Sequence, residues 1–227
     1  MPRNFLQNMK KYILSAIAIT TLLFSACKKD NDNKPGDNVT GNYQPLTTGS
    51  TWSYRNEGIA LGEGEAEVDT TVNTMTATTK VFNGKTFREL KSVSGTETTN
   101  SYFGIDNHFY YNHTVVDAAN AELELPYLND EKAVNDSWTV PVVIEEAPES
   151  QIKGTIVEKG ISKTILGKTY NNIIHTKLEL QSKDEGQYVT VFTFDFYVAK
   201  NIGVVGVYTS YDGAQLSKSE LISHNIK

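Results

Sequence analysis

The sequence predicts an all-β fold: an antiparallel sandwich or strongly curved sheet, built from two related meanders, with few or no helices after the first 26 residues. Three observations lead there. Short runs rich in Thr, Val, Tyr and Phe alternate with period 2, as half-buried strands do. Two-residue turn signals such as Asn83-Gly84 and Asp212-Gly213 sit between such runs. No segment beyond the leader carries a convincing 3.6-residue apolar stripe or a βαβ rhythm.

The first 26 residues stand apart. Arg3, Lys10 and Lys11 form a basic start, Tyr12 to Phe24 an apolar stretch, and Ser25-Ala26 a small-residue step before Cys27, the one cysteine in 227 residues. The apolar stretch has the length of a secretory leader and falls short of the ~20 residues that span a bilayer as a helix. The arrangement resembles the bacterial lipobox, with Phe24 where leucine is usual. That resemblance implies a lipoprotein signal peptide over 1–26, cleavage before Cys27, a diacylglycerol on its sulfur and an acyl chain, such as palmitate, on its amine. Two or more acyl chains hold a protein firmly to a membrane, where one is marginal. Modification of Cys27 also leaves no thiol for disulfides, metals or nucleophilic catalysis.

Residues 27–42 form a polar tether, since "KKDNDNKPGDNVTGN" is charged and broken by Pro and Gly. The run Asp30-Asn31-Asp32-Asn33 fails as a calcium loop: Lys34 stands at a ligand position, Gly36 is one residue late, and the distal Glu is absent. Acidic residues after the cysteine resemble the export tract of Bacteroidota surface lipoproteins, although two lysines precede them here. The face of the outer membrane therefore stays open.

The body, residues 43–227, is long enough for a sizeable core. In "QYVTVFTFDFYVA" (187–199), Phe192, Phe194 and Phe196 share the core face, opposite Val191, Thr193, Asp195 and Tyr197. In "NIIHTKLEL" (172–180), Ile174, Thr176, Leu178 and Leu180 point inward; Ile173, His175, Lys177 and Glu179 point outward. Gly167 and the tract Lys183 to Gly186 mark further turns. A short helix is expected near Ala118 to Leu123.

An internal echo divides the body into halves 43–117 and 136–227. "GSTWSY" (49–54) matches "NDSWTV" (135–140), and "TKVFNGKTFREL" (79–90) matches "SKTILGKTYNNI" (162–173). The segment 117–136 would then join two meanders that share one core.

The stretch "YQPLTTGSTWSYR" sets Tyr43, Pro45, Leu46, Gly49, Trp52 and Tyr54 in the order Tyr-x-Pro-Leu-x-x-Gly-x-x-Trp-x-Tyr. Asp136-x-Trp138 and a late aromatic strand followed by Gly203-Val204-Val205 complete the pattern. It resembles a family of secreted and lipid-anchored bacterial proteins, many from Bacteroidota. The resemblance implies a β-rich domain outside the cytoplasm and carries no assigned activity.

Chemistry is sparse. The net charge of −6 becomes −9 once Arg3, Lys10 and Lys11 leave with the leader. An acidic surface gains nothing from phosphate counterion release, which excludes nucleic acid as a partner. The four histidines read as solvent-facing strand residues; His108 and His113, five apart, cannot share a metal. No zinc-protease, nucleophile-elbow or phosphate-loop motif occurs. The acid pairs Glu145-Glu146 and Asp184-Glu185 read as solvated rims rather than glycosidase carboxylates. An outward stripe of Tyr102, Tyr110 and Tyr111 is the candidate contact for a protein or glycan. "DTT" (69–71) resembles the O-glycosylation site of exported Bacteroidota proteins, with Thr70 the acceptor.

These readings converge on a noncatalytic, outer-membrane-anchored lipoprotein with a β domain for ligand, partner or structural use. No cofactor or metal is expected, and the membrane contact runs through Cys27. The alternatives are a curved-sheet carrier of apolar molecules, which needs an open apolar interior, and a hydrolase, which needs His and carboxylates converging in a cleft.

Overall fold

In the computed structural model, residues 42–58, 67–116, 121–142 and 149–227 are described; the leader and most of the tether lie outside them. The described residues form twelve antiparallel strands and no helix. The strands are β1 (Thr51–Gly58), β2 (Glu67–Phe82), β3 (Lys85–Ser94), β4 (Glu97–Asp106), β5 (Phe109–Val116), β6 (Ala121–Asn129), β7 (Ser137–Val142), β8 (Ser150–Ile165), β9 (Lys168–Asp184), β10 (Gln187–Ala199), β11 (Gly203–Tyr211) and β12 (Ala214–Asn225). They lie in the order β6-β5-β4-β3-β2-β1-β12-β11-β10-β9-β8-β7. Sequence neighbours pair throughout except β6 and β7, which are the two edges, and the pairing of β1 with β12 joins a β1–β6 meander to a β7–β12 meander. The sheet curls until β6 comes close to β8 and β9 without pairing, so the result is a nearly closed barrel with one open seam.

Turn chemistry explains the hairpins. Asn83-Gly84, Leu166-Gly167, Glu185-Gly186 and Asp212-Gly213 each hold two consecutive positive φ angles, 50° and 78° in the first. This is the type I′ geometry that matches strand twist. Asn107-His108 does the same without glycine, at 47° and 65°.

The expected core face of β10 is present: Phe192, Phe194 and Phe196 are buried, as are Ile174, Thr176, Leu178 and Leu180 of β9. Tyr127 sits at a bulge on β6, the extra residue opposite Tyr110/Tyr111. Its ring stacks on Phe196 at 5.7 Å and meets Phe103 edge-on at 6.1 Å, tying the two meanders together.

Two expectations fail. The helix expected near Ala118 to Leu123 is not formed: residues from Ala121 belong to β6, paired with β5, and 118–120 lie outside the described residues. Ile173 and His175 do face outward, yet both are buried. The reason is the length of the β8–β9 hairpin. Bulges on β8 bend it, and its tip lies back over the outer face of β10–β12. Lys168 there donates to the Ile222 carbonyl, and Tyr170 Oη to that of Leu221. The β2–β3 hairpin behaves alike. Past the irregularity between Met75 and Thr79, its tip folds over β4, β5 and β6, where Lys85 and Asn83 reach Glu124.

Candidate functional site

The stretch before β1 closes the end of the barrel at which β1 begins. Trp52 Nε1 donates to the Ile202 carbonyl at 2.6 Å, and Tyr54 Oη to the Val204 carbonyl at 2.7 Å. Both bonds pass over β12 to reach the start of β11. Gly203, between those carbonyls, has φ of 103°, and a Cβ there would stand 3.3 Å from Gln44 Oε1. Gln44 Oε1 in turn accepts from Tyr127 Oη. The Tyr43 amide donates to Tyr110 Oη, which donates to Asp130. Burial holds the Tyr54, Tyr110 and Tyr127 hydroxyls above the ordinary phenol range, so they stay neutral donors. The two ends of the sequence motif thus bond to each other and act as a clasp.

The seam has its own clasp. The Trp138 ring lies over Gly154, its Nε1 donates to the Pro126 carbonyl at 3.2 Å, and its edge meets Phe109 at 5.6 Å. Asp136 accepts from the Ala133 amide and shapes the turn before β7.

Of the three candidate contact tyrosines, Tyr102 and Tyr110 are buried and half-buried Tyr111 has Lys85 over its ring, so they form no outward stripe. Tyr110 faces inward, on the same side of β5 as Asn112, and packs on Tyr43 and Tyr127, while the folded-back β2–β3 tip covers Tyr102 and Tyr111. Phe82 stacks on His113 at 3.7 Å and meets Tyr102 at 5.2 Å. His113 and His175 are therefore not solvent-facing. His108 lies in the β4–β5 turn beside Asp130 and Glu131. His175 does meet carboxylates, Asp195 at 2.7 Å and Glu158 at 3.3 Å, and stacks on Tyr197. Both ring nitrogens face carboxylates, so the arrangement braces β8–β10 on the outer face. Asp184-Glu185 sits exposed at a hairpin turn; Glu145-Glu146 lies outside the described residues. Thr70 is exposed on β2, beside Asp69, whose carboxylate accepts from Asn56 and Ser94. Among the described residues no group of His, Cys, Asp or Glu is placed to hold a metal.

Sequence reasoning missed a polar belt inside the barrel. Asn73 (β2), Ser92 (β3), Ser101 (β4) and Asn112 (β5) are each at least nine-tenths buried. Asn73 faces Ser92 directly across the ladder, Ser101 pairs with Leu90, and Asn112 pairs with Phe103, so the four follow one diagonal on the inner face. Asn73 Oδ1, both serine hydroxyls, and both polar atoms of the Asn112 amide have no hydrogen-bond partner in the described protein; nor does Thr176 Oγ1 on β9. A buried polar atom left so costs about 1–3 kcal/mol. Beside the belt, Trp52, Tyr54, Asn73, Leu90, Phe103 and Ser219 line a cavity of about 30 Å³. The signal in the sequence was Ser and Asn at the inward phase of strands where apolar residues are expected. Next to this cavity Tyr127 stacks on Phe196 and meets Phe103 in the interior.

No family model and no curated protein matches the chain. Among solved structures it is similar to a provisionally named lipoprotein from Parabacteroides distasonis ATCC 8503, at 10% identity and a TM-score of 0.51, covering 83% of this chain and 100% of that one. It is also similar to a provisionally named exported protein with a YmcC-like fold from Bacteroides fragilis NCTC 9343, at 10% identity and a TM-score of 0.48, covering 80% and 97%. At such identity the likeness to the first is one of fold.

Proposed function

We propose that the chain is a noncatalytic lipoprotein of the outer membrane, held by acyl chains on Cys27, whose β body binds a ligand or partner. The observation that carries the reading is the place of Cys27, the sole cysteine, between an apolar leader and a polar tether. The fold is in keeping with it: the residues of the Tyr43–Tyr54 motif clasp β1 to β11. The lipoprotein from Parabacteroides distasonis that shares the fold is in keeping with it.

Cys27→Ala tests the anchor. Cell fractionation should move the variant from the membrane to the soluble fraction, and mass spectrometry of the parent should find a new N-terminus at an acylated Cys27. Membrane retention unchanged by the substitution would refute the reading.

A further inference from the structure

We infer that the inner belt of Asn73, Ser92, Ser101 and Asn112 is a binding site for ordered internal water. Each of the four is buried, each faces inward, and each keeps at least one polar atom that no described protein group satisfies. Such groups are rare in folded proteins and ordinarily meet an ordered solvent or ligand atom.

The chemistry of the guest follows from the donors and acceptors. Asn112 offers both Nδ2–H and Oδ1, Asn73 offers Oδ1, and each serine donates one hydrogen and accepts. Water, which both donates and accepts, matches that alternation. None of the belt groups is charged, so an ionic guest would find no counter-charge among them. The adjoining cavity of about 30 Å³ admits a group the size of one water.

The test uses the full chain carrying Cys27→Ala, so it runs without the lipid. Failure here leaves the anchor standing, and an unacylated Cys27 leaves this site standing. A crystal structure that resolves water should place water oxygens within hydrogen-bond distance of Ser92 Oγ, Ser101 Oγ and Asn112. The double variant Ser92→Ala/Ser101→Ala should melt about 2–8 °C lower, because the water loses its partners. An empty belt in the crystal, with the double variant as stable as its parent or more so, would overturn the inference.

Discussion

Substituting Gly154→Ala should open the seam of the barrel. A Cβ on Gly154 would lie 2.2 Å from Cε2 and 2.3 Å from Cζ2 of Trp138, distances no real methyl tolerates, so the indole must move. Overpacking of this kind costs about 1–3 kcal/mol. Moving the ring also strains its bond to the Pro126 carbonyl, worth about 1 kcal/mol, and its edge contact with Phe109, worth about 0.5–1.5 kcal/mol. Against this, replacing glycine by alanine restricts the unfolded chain and returns about 0.4–1 kcal/mol. The net loss is about 2–4 kcal/mol, or on the order of 5–15 °C in melting temperature for a body of this size. Urea unfolding followed by tryptophan fluorescence measures it. The same change made in a Trp138→Ala background should be close to neutral, because the methyl then meets no ring, giving a coupling of about 2–4 kcal/mol. Equal effects of Gly154→Ala in both backgrounds would refute the steric argument.

Three further predictions concern the clasp and the outer face. Tyr54→Phe removes the donor to the Val204 carbonyl and should cost about 1–2 kcal/mol by urea unfolding, with the strand content unchanged by circular dichroism. Gly203→Ala should cost more than an exposed Gly→Ala, because φ is 103° and Gln44 stands against the new methyl; a thermal melt within 1 °C of the parent would contradict that. Burial raises the phenols of Tyr54, Tyr110 and Tyr127 in the folded state above their ordinary value of 10.0. The unfolded chain therefore loses those protons first: the stability they carry is intact below pH 10 and declines as pH rises beyond it. In an absorbance titration their ionisation should coincide with alkaline unfolding, and ionisation of these three without loss of structure would count against their burial.

The family-like motif takes on a physical meaning in the folded chain. Tyr43, Trp52 and Tyr54 lie about 150 residues from Gly203 in sequence, yet the two regions exchange hydrogen bonds in the clasp. Trp52 and Trp138 both fasten strand starts through their indole N–H, to the carbonyls of Ile202 and Pro126. The matched stretches 79–90 and 162–173 both span bent hairpins that fold over the outside of the sheet, and Lys80 and Lys163 each lie over a tyrosine ring, Tyr102 and Tyr197.

What the sequence determined by itself was local. Period-2 runs named the strands, paired turn residues placed the hairpins, and the alternation of Phe192, Phe194 and Phe196 chose the core face, because each of these depends on residues within a few positions of one another. Tertiary structure alone decided which outward residues stay wet. Ile173, His175, His113 and Tyr102 sit at outward phases but are buried, since bulged hairpins fold back over them. It also decided that β1 pairs with β12 while β6 and β7 stay apart, and that four polar side chains from four strands line up on one inner diagonal. Those outcomes rest on bends and registers summed over many strands, and no short window of sequence carries that sum.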